Sequence, residues 1–166
     1  SPIQVQEGES LSSSNISIPT SEKQGYTLSG WFNNNEELTT SKQILSDITY
    51  TASWTANTYT VIFDYDGATG NNSVASKQVT YDSTYGTLPT PTREGYTFNG
   101  WYVNGIKIES TSTVKITQST SAVAYWLKNA YMLTINPNGG TYNNSTGNYQ
   151  QGMEYEEEID VADPVR

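Results

Sequence analysis

The chain has 166 residues, a net charge of −9, and neither cysteine nor histidine. The acidic balance excludes a general nucleic-acid or anionic-membrane binder, because both need basic patches to neutralise phosphate. The missing side chains remove disulfides, thiolate metal sites, the thiol nucleophile and the commonest general base.

Apolar content is aromatic rather than aliphatic: 13 Tyr, 4 Trp and 3 Phe. A few enclosed rings can anchor a small core, and aromatic and β-branched enrichment among frequent turn residues predicts strands. No apolar run approaches the ~20 residues of a membrane span, so direct membrane insertion is not expected. No signal peptide opens the chain, which is expected to come from the middle of a longer protein.

In chain order, the first marker is Gly25-Tyr26-Thr27-Leu28-Ser29-Gly30-Trp31-Phe32, with Pro19 ahead of it. It returns 70 positions later as Gly95-Tyr96-Thr97-Phe98-Asn99-Gly100-Trp101-Tyr102, behind Pro89. Ala52-Ser53-Trp54 returns 72 positions on as Ala124-Tyr125-Trp126, and Tyr59 to Gly67 returns at the same offset as Tyr131 to Gly139. Three blocks in one order at one period define tandem copies. Residues 1–56 read as the later part of a first copy, 57–128 as a complete copy, and 129–166 as the opening of a third. Asp163-Pro164-Val165-Arg166 matches Thr90-Pro91-Thr92-Arg93, so the array is expected to continue beyond it.

Within the complete copy, Tyr59, Val61 and Phe63 alternate with Thr60 and Ile62, the pattern of a strand with one apolar face. Asp66-Gly67 and Gly70-Asn71-Asn72 supply turn chemistry, and Val74 to Tyr81 gives a second strand, paired as a hairpin. Pro89 and Pro91 mark an irregular crossover, since neither can donate to a ladder. Tyr96 to Tyr102 is a third strand, and Asn104-Gly105 a type I′ turn. Ile106 to Ile108 and Val114 to Ile116 read as short strands, and Ala122 to Leu127 closes the copy. Only the crossover from Ser83 to Leu88 has room for a helix. The expectation is a mainly β protein, α+β at most, with four or five strands and at most one short helix per copy.

The Gly-Tyr-Thr-Phe-Asn-Gly-Trp-Tyr block, the opening strand and the closing Ala-Tyr-Trp resemble the Listeria–Bacteroides repeat, a family that includes the B-repeats of internalin-type surface proteins. The resemblance covers nearly the whole chain. It implies a β-grasp-like fold per copy and extracellular display on a bacterial cell surface or cell wall, as a stalk, spacer or adhesive module. It supplies no catalytic residue and no cofactor. The Ser-rich stretch from Leu11 to Asn15 and the incomplete third copy depart from the pattern.

Candidate contact residues are Trp31, Trp101, Tyr26 and Tyr96. By simple alternation Trp31 and Trp101 face away from the Tyr26/Leu28 and Tyr96/Phe98 rows, where they would stack on a sugar or a partner. The competing reading makes Gly30 and Gly100 bulges that turn each Trp into the core or a junction between copies. Trp54 and Trp126 read as core or junction residues. Asp64-Tyr65-Asp66-Gly67 looks like the start of a calcium loop but lacks its terminal Glu; the other copy has Asn136-Pro137-Asn138-Gly139, so a turn explains both. Lys107 and Lys115 are expected to face solvent, the alternative being an isopeptide bond to Asn. Glu154, Glu156, Glu157, Glu158 and Asp160 read as a solvated cluster.

With no nucleophile elbow and no acid in an apolar setting, the chain is not expected to be an enzyme. The expected partners are neighbouring repeats of the same protein and a host surface protein or glycan, with weak head-to-tail self-association by strand donation.

Overall fold

The computed structural model describes residues 2–158. Asp160 and the Asp163-Pro164-Val165-Arg166 match lie outside the described residues. The fold is all-β: β1 (Tyr26–Asn33), β2 (Glu36–Glu37), β3 (Thr51–Ala56), β4 (Thr58–Asp64), β5 (Ser76–Thr80), β6 (Tyr96–Val103), β7 (Ile106–Ile108), β8 (Thr120–Lys128), β9 (Ala130–Ile135) and β10 (Tyr149–Glu154), with no helix among the described residues. The strands form three sheets, ordered β2-β1-β3, β5-β4-β8-β6-β7 and β10-β9. Counted from β4, the five-stranded sheet runs second-first-fifth-third-fourth, as in a β-grasp.

One sequence expectation needs correction: Val114 to Ile116 is not a strand. Ser83 to Leu88, the segment with room for a helix, forms none. Both segments are instead irregular and tied to each other. The Asp82 amide donates to Val114 O at 3.0 Å, the Val114 amide to Ser83 O at 2.8 Å, and the Tyr85 amide to Ser112 O at 3.1 Å. These bonds satisfy the backbone without a helix or a ladder, and they bury Tyr85 and Val114.

The three-stranded sheet reproduces the β7-β6-β8 portion of the larger one, down to its irregularity. Leu28 lies opposite Trp54 and Trp31 opposite Ala52; Phe98 lies opposite Trp126 and Trp101 opposite Ala124. Register shifts fall between Leu28 and Gly30 and between Phe98 and Gly100. At Gly100, φ is +121° and a Cβ would sit 2.6 Å from Cε of Lys107, so the bulge needs glycine. The extra residue rotates Trp101 onto the face that already carries Phe98, and the two rings meet at 5.6 Å.

The described chain gathers into two compact units. The first takes residues up to Thr60 together with Gln78–Tyr85 and Thr111–Thr120; its buried apolar residues are Leu11, Val79, Tyr85 and Val114. The second takes Val61–Lys77, Gly86–Ser110 and the chain from Ser121 onward. Its core is aromatic. Trp101, 1% exposed, lies 4.8 Å from Phe63 and 5.2 Å from Tyr65, and Phe98 lies 5.3 Å from Trp126. Val61, Val103, Ala122 and Ala124 are buried in the same unit.

Candidate functional site

Gly25 opens β1 in the left-handed region, at φ +78°. It is buried, and the reason is the ring of Tyr81: a Cβ on Gly25 would lie 2.4 Å from the ring's carbons. Tyr26 meets the same ring edge-on, with centroids 5.6 Å apart, and its hydroxyl donates to Oδ2 of Asp82 at 2.6 Å. The Lys115 ammonium bonds the other carboxylate oxygen of Asp82 and stands 5.3 Å from the Tyr81 ring centroid. Lys23 caps the Tyr26 ring at 3.9 Å. Backbone bonds lock the arrangement: the Asn57 amide donates to Gly25 O and the Tyr81 amide to Asn57 O, both at 2.9 Å. Thr27 Oγ1 donates to Asn57 Oδ1 at 2.6 Å.

A second cluster has the same design. Gly95 has φ +72° and would place a Cβ 2.1 Å from the ring of Tyr155. Tyr96 meets that ring at 5.6 Å, and its hydroxyl donates to Oε2 of Glu156 at 3.3 Å. Arg93 covers the Tyr96 ring at 4.0 Å. The Asn129 amide donates to Gly95 O, the Tyr155 amide donates to Asn129 O, and Thr97 Oγ1 donates to Asn129 Oδ1. In each cluster a Gly-Tyr-Thr edge meets an aromatic–acid pair at the end of a later strand, β5 or β10.

Electrostatics follow from these contacts. The hydrogen bond from Lys115, then that from the Tyr26 hydroxyl, holds the Asp82 carboxyl below the ordinary carboxylate range. The Tyr26 phenol is raised by its hydrogen bond to Asp82, and Lys115 is raised by the same carboxylate. Tyr155 is raised first by burial and then by Glu94 and Glu156.

Tyr26 and Tyr96 therefore sit in the clusters, while Trp31 and Trp101 do not. Each Trp instead ties a proline crossover to its sheet, the indole N–H donating to Pro19 O at 2.8 Å and to Pro89 O at 2.7 Å. Trp101 is buried and offers no face for stacking; Trp31 is half-buried. Trp54 is half-buried, and Trp126 is buried with its N–H on Tyr65 O at 3.2 Å.

Tyr81, Asp82, Tyr155 and Glu156 escaped the sequence reading as partners of the tyrosines. The available signal was Thr80-Tyr81-Asp82 recurring as Glu154-Tyr155-Glu156, an aromatic–acid pair at the end of a strand. Lys115 reaches Asp82, not an Asn, and Lys107 is exposed.

Asp64 to Gly67 forms an Asx turn, with the Asp66 amide on Asp64 Oδ1, and Asn136 to Gly139 forms the same turn. No group of three or more acids is placed to hold a metal ion among the described residues. No helix among them is long and apolar enough to cross a membrane. A wide concavity of about 790 Å³ beside Gly8 and Leu45 is lined mainly by Ser and Thr hydroxyls and carries no paired acids or aromatic rings.

The Listeria-Bacteroides repeat domain model matches residues 2–55 and 59–124, two successive copies. Internalin H of Listeria monocytogenes serovar 1/2a is 34% identical over 134 residues, covering 76% of this chain and 23% of its own length. A protein of Evansella cellulosilytica, provisionally named as a membrane protein, is 31% identical over 147 residues, 83% of this chain and 21% of its own. The chain thus spans less than a quarter of these relatives. No solved structure matches it. On the family match and the internalin relative together, the chain belongs to the Listeria-Bacteroides repeat domain family, as a non-catalytic repeat module.

Proposed function

We propose that the chain is a spacer in a bacterial surface protein, exposed at the cell wall, whose copies (1–56, 57–128 and 129–166) are coupled to one another rather than strung on free linkers. The observation that supports this is the recurrence of one cluster, Gly25/Tyr26/Tyr81/Asp82 and Gly95/Tyr96/Tyr155/Glu156, with the same ring seat, the same hydroxyl-to-carboxylate bond and the same backbone bonds through Asn57 and Asn129. Two copies that share a glycine–aromatic seat and the backbone bonds around it cannot pivot freely at the connecting Asn. Neighbouring copies are the partners this reading names.

The test uses the whole surface protein on cells, with one copy deleted or duplicated. Accessibility of a tag ahead of the array to a bulky antibody conjugate should fall with deletion and rise with duplication. Unchanged accessibility in both would remove the spacer reading.

A binding role has one observation in its favour: Tyr125 is 52% exposed beside Tyr102, with ring centroids 5.4 Å apart. Glycan-array and host-protein screens with Tyr125→Ser and Trp31→Ala would test it, and binding that survives both would exclude these aromatics.

A further inference from the structure

The acid of each cluster stands in the left-handed region of backbone space. Asp82 has φ +63° and Glu156 has φ +62°. Left-handed backbone is costly for a residue with a Cβ, least so for Asp and Asn; Glu156 is the one residue of another type that adopts it among the described residues.

The first copy supplies the comparison. Its leading segment is bonded as in the second: Gly8 N to Ile44 O corresponds to Asp82 N to Val114 O, and Ile44 N to Glu9 O corresponds to Val114 N to Ser83 O. The isolated bridges Ser10–Gln43 and Thr84–Thr113 correspond as well. By this equivalence Gly8 stands where Asp82 stands, Glu7 where Tyr81 stands, and Leu45 where Lys115 stands. Gly8 takes the same left-handed turn at φ +82°, now with the residue that suits it.

We infer that Tyr81–Asp82 with Lys115, and Tyr155–Glu156 in the next copy, form a recognition element for one kind of partner: the Gly-Tyr-Thr edge of another copy, led by a base two residues earlier. The inference rests on the coupled-copy reading above and adds direction and selectivity to it. The aromatic ring lies on the bare glycine of the edge, the acid accepts from its tyrosine, and the basic residue (Lys23 or Arg93) adds charge complementarity on the edge side. The leading face of the first copy has Glu7 in place of the ring, Gly8 in place of the accepting acid and an apolar Leu45, 68% exposed, in place of the ammonium. That face is not built to receive such an edge, so whatever meets it does so by other chemistry. The left-handed acids are then explained: each turns its carboxylate onto the tyrosine hydroxyl of the edge it meets.

The experiment compares variants of the intact 166-residue chain by amide hydrogen exchange, reading Asn57 and Tyr81 at the first cluster and Asn129 and Tyr155 at the second. One variant carries the first copy's residues, Tyr81→Glu, Asp82→Gly and Lys115→Leu. The other is Gly25→Ala, which blocks the ring seat outright. Both should speed exchange at Asn57 and Tyr81 by about tenfold or more while Asn129 and Tyr155 keep their protection.

Faster exchange in Gly25→Ala alone would overturn the recognition rule and leave coupling standing. No change in either would overturn coupling as well. If the triple variant loses protection throughout, the milder pair Tyr26→Phe and Asp82→Ala replaces it. Each of these must then speed Tyr81 exchange, and the double variant no more than the larger single, because both remove one hydrogen bond. Additive effects would sink the assignment.

Discussion

Trp101→Ala is the substitution on which the fold description depends most. The side chain is 1% exposed and touches the rings of Phe63, Tyr65 and Phe98 at 4.8, 5.2 and 5.6 Å. Deleting a buried aromatic of this size costs about 3–5 kcal/mol through lost transfer energy and the cavity left behind. Its N–H also serves Pro89 O, and leaving that carbonyl unpaired adds roughly 1–3 kcal/mol wherever water cannot reach it. The expected loss, about 4 kcal/mol or more, is a large share of the roughly 5–15 kcal/mol available to a natural domain. Trp31 makes the same bond to Pro19 O but is half-buried, so Trp31→Ala should cost only about 2 kcal/mol. Urea unfolding followed by far-UV circular dichroism, with Trp101→Phe to separate the ring from the N–H, reads the difference. Equal midpoint shifts for Trp31→Ala and Trp101→Ala would refute the deeper burial of Trp101.

Three further outcomes follow from particular residues. Gly95→Ala, at φ +72° with the Tyr155 ring in the way, should cost about 2 kcal/mol or more, whereas Gly105→Ala, at φ +78° with open space around it, should cost only the backbone penalty of about 1 kcal/mol; equal losses by urea titration would contradict the ring seat. The stability difference between the wild type and Asp82→Asn should be flat from about pH 5 to about pH 9. The depressed Asp82 carboxyl contributes above its unfolded value of about 3.9 and loses that contribution as pH falls through the lower folded value, while the raised Lys115 and Tyr26 contribute below about 10 and lose theirs as pH rises through their folded values. A step in that difference between pH 6 and 8 would show that another group titrates at the cluster. Pro89→Ala should be mild, within about 1 kcal/mol, because the indole of Trp101 bonds the carbonyl of residue 89, which any residue supplies; a loss as large as that of Trp101→Ala would show that the ring of Pro89 matters instead.

The strands were legible because alternation and turn chemistry both speak in this sequence. Tyr59, Val61 and Phe63 fall on one face of β4, and Asn104-Gly105 takes two left-handed residues between β6 and β7. Periodicity could not place Trp101, since a bulge changes the parity of everything after it; only the repeated Gly before each Trp hinted at that. Val114 misled for a different reason. An apolar residue in a short polar run looks like a strand or a helix turn, yet here the backbone pairs across two irregular segments and no local pattern records it. The clusters were half legible. Tyr26 and Tyr96 stood out in the repeated block, but their partners lie 55 and 59 residues downstream at Tyr81 and Tyr155, and one sequence without the fold does not say which aromatic covers which glycine.

The two copies also differ where the fold does not require it. On the face of β8 away from the core stand Val123, Tyr125 and Leu127, 41%, 52% and 47% exposed. The same positions of β3 hold Thr51, Ser53 and Thr55, all exposed. The pairing is equivalent: Tyr125 lies opposite Gly100 as Ser53 lies opposite Gly30, and Leu127 opposite Thr97 as Thr55 opposite Thr27. On this face the first copy carries a hydroxyl bond between Ser29 Oγ and Thr55 Oγ1, 2.6 Å apart. A sheet that accepts Thr-Ser-Thr in one copy should accept it in the other. Val123→Thr, Tyr125→Ser and Leu127→Thr together should therefore cost about 1 kcal/mol or less, chiefly the cross-strand pair of Tyr102 with Tyr125. Chemical denaturation of the triple variant measures it. A loss near that of Trp101→Ala would mean that this face is structural, and that the divergence between the copies reflects different packing and not freedom from it.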